Sequence, residues 1–199
     1  MEQATSTYDL LDRLSKGDEA AFTPLFEKYQ KRLALLIHYK LSPELRRFTE
    51  LEDVLQETFF EAFRDIGQFR YQRPGSFLSW LSRIADHVVA DAARFQGRQK
   101  RRAEDLVRFR SVGNPDGPEP IVSVTPSFLL AEKESLSALI QKLDRLPEDY
   151  RRVIMLAKIE GLSNAEVAAE LGRTREAAAL LLHRAIKRLR TLQEAEMAR

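Results

Sequence analysis

Thr49-Glu50-Leu51-Glu52-Asp53-Val54-Leu55-Gln56-Glu57-Thr58-Phe59-Phe60-Glu61-Ala62-Phe63-Arg64-Asp65-Ile66-Gly67 begins a stretch that runs on to Arg102 and organises the rest of the chain. Thr49 is followed three residues later by Glu52, the pattern of a capping box, and Gly67 marks a stop, so a helix is predicted between them. At about 100° per residue, Leu51, Leu55, Thr58, Phe59, Ala62 and Ile66 share one buried stripe. The opposite face carries Asp53, Gln56, Glu57, Phe60 and Arg64. A ring among acids suits a docking surface for a basic partner. One exposed aromatic on an ordinary surface is the competing reading.

Phe69-Arg70-Tyr71-Gln72-Arg73-Pro74-Gly75 follows, aromatics alternating with arginines before a break. Ser76 is placed to cap a second helix from Phe77 to about Phe95, extendable to Arg101. Its inner stripe is Phe77, Leu81, Ile84, Val88, Ala92 and Phe95; the adjacent face carries Arg83, His87, Arg94, Arg98 and Arg101, with Trp80 at the border. From Phe69 to Arg102 there are eight Lys/Arg (Arg70, Arg73, Arg83, Arg94, Arg98, Lys100, Arg101, Arg102) against Asp86 and Asp91. From Glu44 to Asp65 seven acids stand against Arg46, Arg47 and Arg64. The two segments therefore face different partners. Cations interleaved with exposed rings suit single-stranded nucleic acid, since the cations follow phosphates and the rings stack on bases. A packed core under a solvated arginine face is the competing reading.

Asp53-Val54-Leu55-Gln56-Glu57-Thr58-Phe59, then Phe77-Leu78-Ser79-Trp80-Leu81-Ser82-Arg83-Ile84-Ala85 and Asp91-Ala92-Ala93-Arg94, resembles region 2 of bacterial sigma-70-type factors of the extracytoplasmic-function class. The resemblance implies that Asp53, Gln56, Glu57, Phe60 and Arg64 bind the β′ clamp helices of RNA polymerase core. It also implies that Phe69, Tyr71, Trp80, Arg83, His87, Arg94 and Arg98 capture and melt the −10 promoter element. Asp86 lies where that family commonly has Asn. An acid near a DNA strand repels it, so Asp86 either points away or accepts from a base amine.

Composition sets bounds on the alternatives. The 199 residues have room for two small domains, and 44% hydrophobic with 31% charged residues is ordinary for a globular protein. No apolar run is long enough to span a bilayer and no signal-peptide pattern occurs, so neither membrane insertion nor export is expected and the chain belongs in the cytoplasm. Cysteine is absent, which excludes disulfides, thiol redox sensing and cysteine-ligated zinc. His38, His87 and His183 are scattered, with no HExxH spacing and no glycine-rich phosphate loop. Catalysis, a metal and a cofactor are therefore not expected. The net charge of +2 says little, because the signal lies in how charge is distributed.

Upstream, Met1 to Lys16 reads as a helix with Leu10, Leu11 and Leu14 on one side, and Gly17-Asp18 breaks it and caps the next. From Glu19 to Tyr39, Ala21, Phe22, Leu25, Phe26, Tyr29, Leu33, Leu36 and Ile37 recur at helical spacing. Pro24 predicts a kink or a late start, with Thr23 as an alternative cap. Leu41 to Thr49 is a turn or short helix of undetermined purpose.

Downstream, Gly113, Pro115, Gly117, Pro118, Pro120 and Pro126 make residues 111–127 a linker, read first as a tether. The resemblance adds passage of this mildly acidic segment through the polymerase cleft. Leu136, Leu139, Ile140, Leu143 and Leu146 then form one stripe, Pro147 divides, and Tyr150, Val153, Ile154, Leu156 and Ala157 form another that ends at Glu160-Gly161. Ser163-Asn164-Ala165-Glu166 is a second capping box, opening a short helix to Leu171; Gly172-Arg173 turns, and Thr174 caps a final helix to about Leu192. This order, with Ala168 and Ala178 small enough for close approach, is a helix-turn-helix pattern. A plain pair of antiparallel helices is the competing reading.

Leu146-Pro147 through Leu189-Arg190 resembles sigma region 4, carried by Leu162-Ser163, Glu166-Val167-Ala168, Leu171-Gly172 and His183-Arg184-Ala185. The resemblance implies contact with the β-flap and with the −35 element through Arg173, Thr174, Arg175, Glu176, His183, Arg184 and Lys187. Where that family commonly has Thr-Val and a basic residue, this chain has Ala177-Ala178 and Leu181. Alanine cannot hydrogen-bond a base, which leaves Arg175, Glu176, Ala179 and His183 as readout positions.

The expected fold is all-α: a region 2-like bundle over 1–102, a flexible linker over 103–133, and a helix-turn-helix domain over 134–199. No further regulatory domain is expected after the last helix. The expected function is that of an alternative sigma factor, whose partners are RNA polymerase core, promoter DNA and, where one restrains it, an anti-sigma factor. A sigma-like decoy that occupies an anti-sigma factor, and a helix-turn-helix regulator confined to duplex DNA, are the rivals.

Overall fold

The structure, a computed structural model, describes residues 6–101 and 126–197, with side chains over 6–98 and 134–194. Most of the expected linker lies outside the described residues. Among the described residues eight α-helices follow in order: α1 (Thr7–Ser15), α2 (Phe22–Lys40), α3 (Leu51–Asp65), α4 (Ser76–Arg101), α5 (Pro126–Asp144), α6 (Glu148–Ile154), α7 (Asn164–Leu171) and α8 (Arg175–Met197). No strand occurs among the described residues, so the fold is all-α. The chain divides into two compact units, Met1–Gln72 with Trp80–Pro126, and Arg73–Ser79 with Ser127–Arg199.

In the first unit α2 is the central helix. Every apolar position expected on it, from Ala21 and Phe22 to Leu36 and Ile37, is buried, and Gln30, Ala34 and Leu35 join them. Phe22 meets Phe63 of α3 edge-on at 4.9 Å, and Phe26 packs on Phe59. Each such side chain contributes about 1.5–3 kcal/mol by leaving water. Pro24 lies in the first turn of α2, where its missing N–H costs no hydrogen bond. The late start is thus realised, with Thr23 inside the helix rather than capping it.

Several local expectations are corrected. α1 begins at Thr7, where Ser6 and Asp9 form a capping box, and residues 1–5 of the expected helix lie outside the described residues. Asp18 caps nothing with its side chain; its carboxylate accepts from Arg13 Nε at 2.8 Å. Thr49 is not the cap of α3. Its N–H donates to the Leu45 carbonyl at 3.0 Å, just after the 3-10 turn Leu45–Arg47 that Phe48 N–H closes on the same carbonyl, and Glu50 takes the cap position without a side-chain bond. Gly67 does not stop α3 in a left-handed conformation; the helix tightens into a 3-10 turn, Ile66–Gln68. Ser76 is the first residue of α4 rather than the residue before it, and its hydroxyl donates to the Arg73 carbonyl at 2.7 Å.

The 41–49 connection acquires a structural purpose. Arg46 donates to the carbonyls of His38 (2.7 Å) and Leu41 (3.0 Å), which the end of α2 leaves without helical partners. Leu41 and Leu45 are buried beneath it, while Phe48 stays 54% exposed.

In the second unit α5 starts at Pro126, inside the stretch expected as linker, with proline at the helix's first position, where it is tolerated. Leu136, Leu143 and Leu146 are buried as expected, with Leu139 and Ile140 half-buried. Pro147 caps α6, which passes into a π-helical segment, Met155–Glu160, that no sequence feature announced. Ser163 and Glu166 form the expected capping box, and the Ser163 hydroxyl and N–H hold the Glu166 carboxyl below the usual carboxylate range. This depressed value adds stability above the ordinary glutamate pKa that is lost as pH falls through the folded one.

At the turn, Gly172 is left-handed (φ +61°); Arg173 N–H reaches the Ala168 carbonyl at 2.9 Å and Gly172 N–H the Ala169 carbonyl at 3.2 Å. Thr174 then caps α8 by accepting from Ala177 N–H at 3.2 Å. Ala168 and Ala178 are buried, as close packing of the two helices requires. A Gly172→Ala chain should lose about 1–2 kcal/mol, the cost of a side chain in the left-handed region, since the added Cβ meets nothing within 4 Å. Chemical denaturation checks this; an unchanged midpoint would show that the turn relaxes into another conformation.

Candidate functional site

On α3 the buried stripe is Val54, Leu55, Thr58, Phe59 and Ala62, with Leu51 only half-buried. The opposite face is open: Asp53, Gln56, Glu57 and Arg64 are exposed. Phe60 departs from expectation, since it is half-buried rather than standing clear of the surface. Arg64 lies 3.3 Å from its neighbour Asp65. Burial pushes the carboxyl of half-buried Glu61 up, against the opposing pull of Arg64. Glu61 thus belongs to the same acidic face, although the sequence reading left it out.

The loop after α3 and the face of α4 hold the aromatic-basic set. Phe69 and Trp80 come together, ring centroids 5.1 Å apart and tilted 43°. Tyr71 meets Tyr8 of α1 edge-on at 5.7 Å. Phe69, Tyr71 and Trp80 are half-buried, which for Trp80 agrees with its expected place at the border of the face. Arg70 donates to the carbonyls of Gly67 (2.8 Å) and Phe69 (3.0 Å). Between α1 and this loop lies an open cleft of about 250 Å³ lined by Tyr8, Leu11, Ile66, Phe69, Arg70 and Tyr71.

Trp80, Arg83, His87, Asp91, Arg94 and Arg98 recur at spacings of three and four and so line one side of α4. All but Trp80 are exposed, and Arg94 is paired with Asp91. The inner stripe is as expected from Phe77 to Val88, joined by Leu78, Ser82 and Ala85, while Ala92 and Phe95 are half-buried. Asp86 is exposed and bonded to Lys40 Nζ of α2 at 2.6 Å. Neither reading of that position foresaw this pairing with Lys40. Tyr8, 59% exposed, and Lys40 are the residues of this region that sequence reasoning missed. Each acts through a partner far along the chain, which local spacing cannot reveal.

In the helix-turn-helix, Arg173, Thr174, Arg175, Glu176, His183, Arg184 and Lys187 are all exposed. Arg173 sits in the turn, 2.8 Å from Asp149 of α6, while the other charged members stand along α8. Among the described residues no group of acids and histidines is placed to hold a metal, and no helix is long and apolar enough to cross a membrane.

An all-helical chain that joins an aromatic-basic face to a capped helix-turn-helix defines a nucleic-acid-binding class. The description of one family in that class, ECF sigma factor, matches residues 4–198, and the chain belongs to that family. It is accordingly an alternative sigma factor, a transcription regulator that binds RNA polymerase core and promoter DNA. Similar sequences include the ECF RNA polymerase sigma-E factors of Salmonella typhimurium (strain LT2) and Escherichia coli (strain K12), each 29% identical over 170 residues, 85% of this chain and 84% of the relative. That of Haemophilus influenzae is 29% identical over 168 residues, 84% of this chain and 85% of the relative. A solved structure of CnrH with the cytosolic domain of CnrY aligns over 94% of this chain and 96% of that one, at 27% identity and a TM-score of 0.46.

Proposed function

We propose that this sigma factor works through three surfaces in two domains, 1–102 and 134–199, joined by the segment 103–133. The acidic face of α3 (Asp53, Gln56, Glu57, Phe60, Arg64) docks on the β′ clamp helices. Phe69, Tyr71, Trp80, Arg83, His87, Arg94 and Arg98 grip the opened −10 strand, and α8 with the turn before it holds the −35 duplex. It acts by binding, with no reaction of its own, in the cytoplasm. The Phe69–Trp80 pair beside the exposed Arg83 carries this reading, since it sets a stacking surface next to a cation in the first turns of α4.

Run-off transcription on genomic fragments by bacterial core polymerase, with and without the chain, tests it. New start sites sharing a −10-like sequence are the expected result. Core binding without new starts would remove the −10 role, and no core binding would favour a decoy or a regulator confined to duplex DNA.

The Lys40–Asp86 pair yields a further prediction. Removing Lys40 leaves an unneutralised acid one turn from Arg83, where it would repel a strand. Lys40→Ala is therefore expected to weaken holoenzyme binding to fork-junction −10 DNA several-fold while costing at most about 1 kcal/mol of stability, the worth of a partly exposed pair. Asp86→Asn in the same chain should restore binding, as read by fluorescence anisotropy. Without that rescue, the pair has no part in holding DNA.

A further inference from the structure

Large apolar side chains are rarely exposed in the described residues, and Leu180 is one of the exceptions, 50% exposed on α8. A lone exposed leucine is unremarkable in itself. Its place is not. Leu180 lies four residues after Glu176 and three before His183, so it occupies the middle of the outward stripe Glu176, Leu180, His183, Lys187, directly opposite buried Ala178 and Ala185. Ala177 and Arg184 flank it and are exposed, as are Lys187 and Arg188 beyond. The helix therefore presents an apolar centre with Glu176 on its N-terminal side and the cations Arg184, Lys187 and Arg188 on its C-terminal side, the last suited to a polyanion. Ala177 adds no bulk, so the backbone there can come close to what it binds.

Resting on the reading of α8 as the −35 helix, we infer that Leu180, with Ala177 beside it, recognises thymine through its C5-methyl group in the major groove. That methyl is the apolar feature of the base edges there, and it distinguishes T·A from the other pairs without any hydrogen bond. The alanine-rich run thus replaces polar readout with apolar readout at its centre, while the flanking cations hold phosphates.

The test uses the full chain in holoenzyme and a duplex whose −35 sequence has been selected from random DNA. Each thymine is replaced in turn by deoxyuridine, which removes one methyl and nothing else. At one or two positions affinity should fall about four-fold, the effect of one buried carbon group. Leu180→Ala, an exposed change to a strong helix former, should abolish the difference between thymine and uracil, and Leu180→Met should keep it. Indifference to every uracil in a duplex that still selects a −35 sequence would overturn the inference and leave the −35 reading standing. Failure to select any −35 sequence would overturn both. If Leu180→Ala keeps the thymine preference, or loses core binding instead, the face serves a protein contact and the inference falls.

Discussion

A chain carrying Glu57→Lys and Phe60→Ala is expected to lose binding to RNA polymerase core while keeping its helical content. Glu57 is exposed and Phe60 half-buried on the face of α3 opposite its core stripe, so neither change touches Val54, Leu55, Thr58, Phe59 or Ala62. Reversing one charge at the centre of an acidic face replaces attraction to a basic partner with repulsion. Truncating the ring removes the apolar anchor beside it. Interface residues of this kind cost about 2–4 kcal/mol each when lost, so the two together should lower affinity at least 100-fold. Glu57→Lys alone, which has no packing consequence, should account for much of the effect and weaken with added salt. Pull-down or biolayer measurements with core, beside far-UV circular dichroism, read both quantities. Unimpaired core binding would defeat the assignment of this face.

What the sequence made legible follows from which forces act locally. α2 and α4 were readable because burial imposes a 3.6-residue period, and Phe22, Leu25, Leu33, Leu81 and Ile84 obey it. The Ser163–Glu166 box and Gly172 were readable because their partners lie three to four residues away. The box at Thr49 and Glu52 failed for a reason outside its four residues: the Leu45 carbonyl, four residues upstream, had already claimed the Thr49 N–H. The π-helical segment was invisible, since a shift to i→i+5 bonding carries no composition signature. Lys40 against Asp86 and Tyr8 against Tyr71 join residues far apart in sequence, and only the packed fold brings them together. Leu180 was passed over because a run of alanines and leucines reads as interior, and the neighbours that leave it outside are set by α6 and α7 packing on the other side of α8.

Trp80→Ala is the second large effect expected. Stacking of a base on an aromatic ring is worth about 1–3 kcal/mol, and Trp80 also braces Phe69 at 5.1 Å, so its removal takes away one platform and loosens the other. Open-complex formation should therefore fall by about 10- to 100-fold. Trp80→Phe should recover part of it, because a smaller ring can still stack and still meet Phe69. The ring is half-buried, so some loss of stability accompanies the change. Two controls separate that loss from the proposed role. Core binding through α3 and salt-sensitive duplex binding through Arg175, Arg184 and Lys187 should both stay at wild-type levels, because they use other surfaces. Permanganate reactivity of thymines in the −10 region supplies the readout. If Trp80→Ala opens promoters as well as the unaltered chain does, the aromatic pair is packing for the loop and the strand is gripped elsewhere on α4.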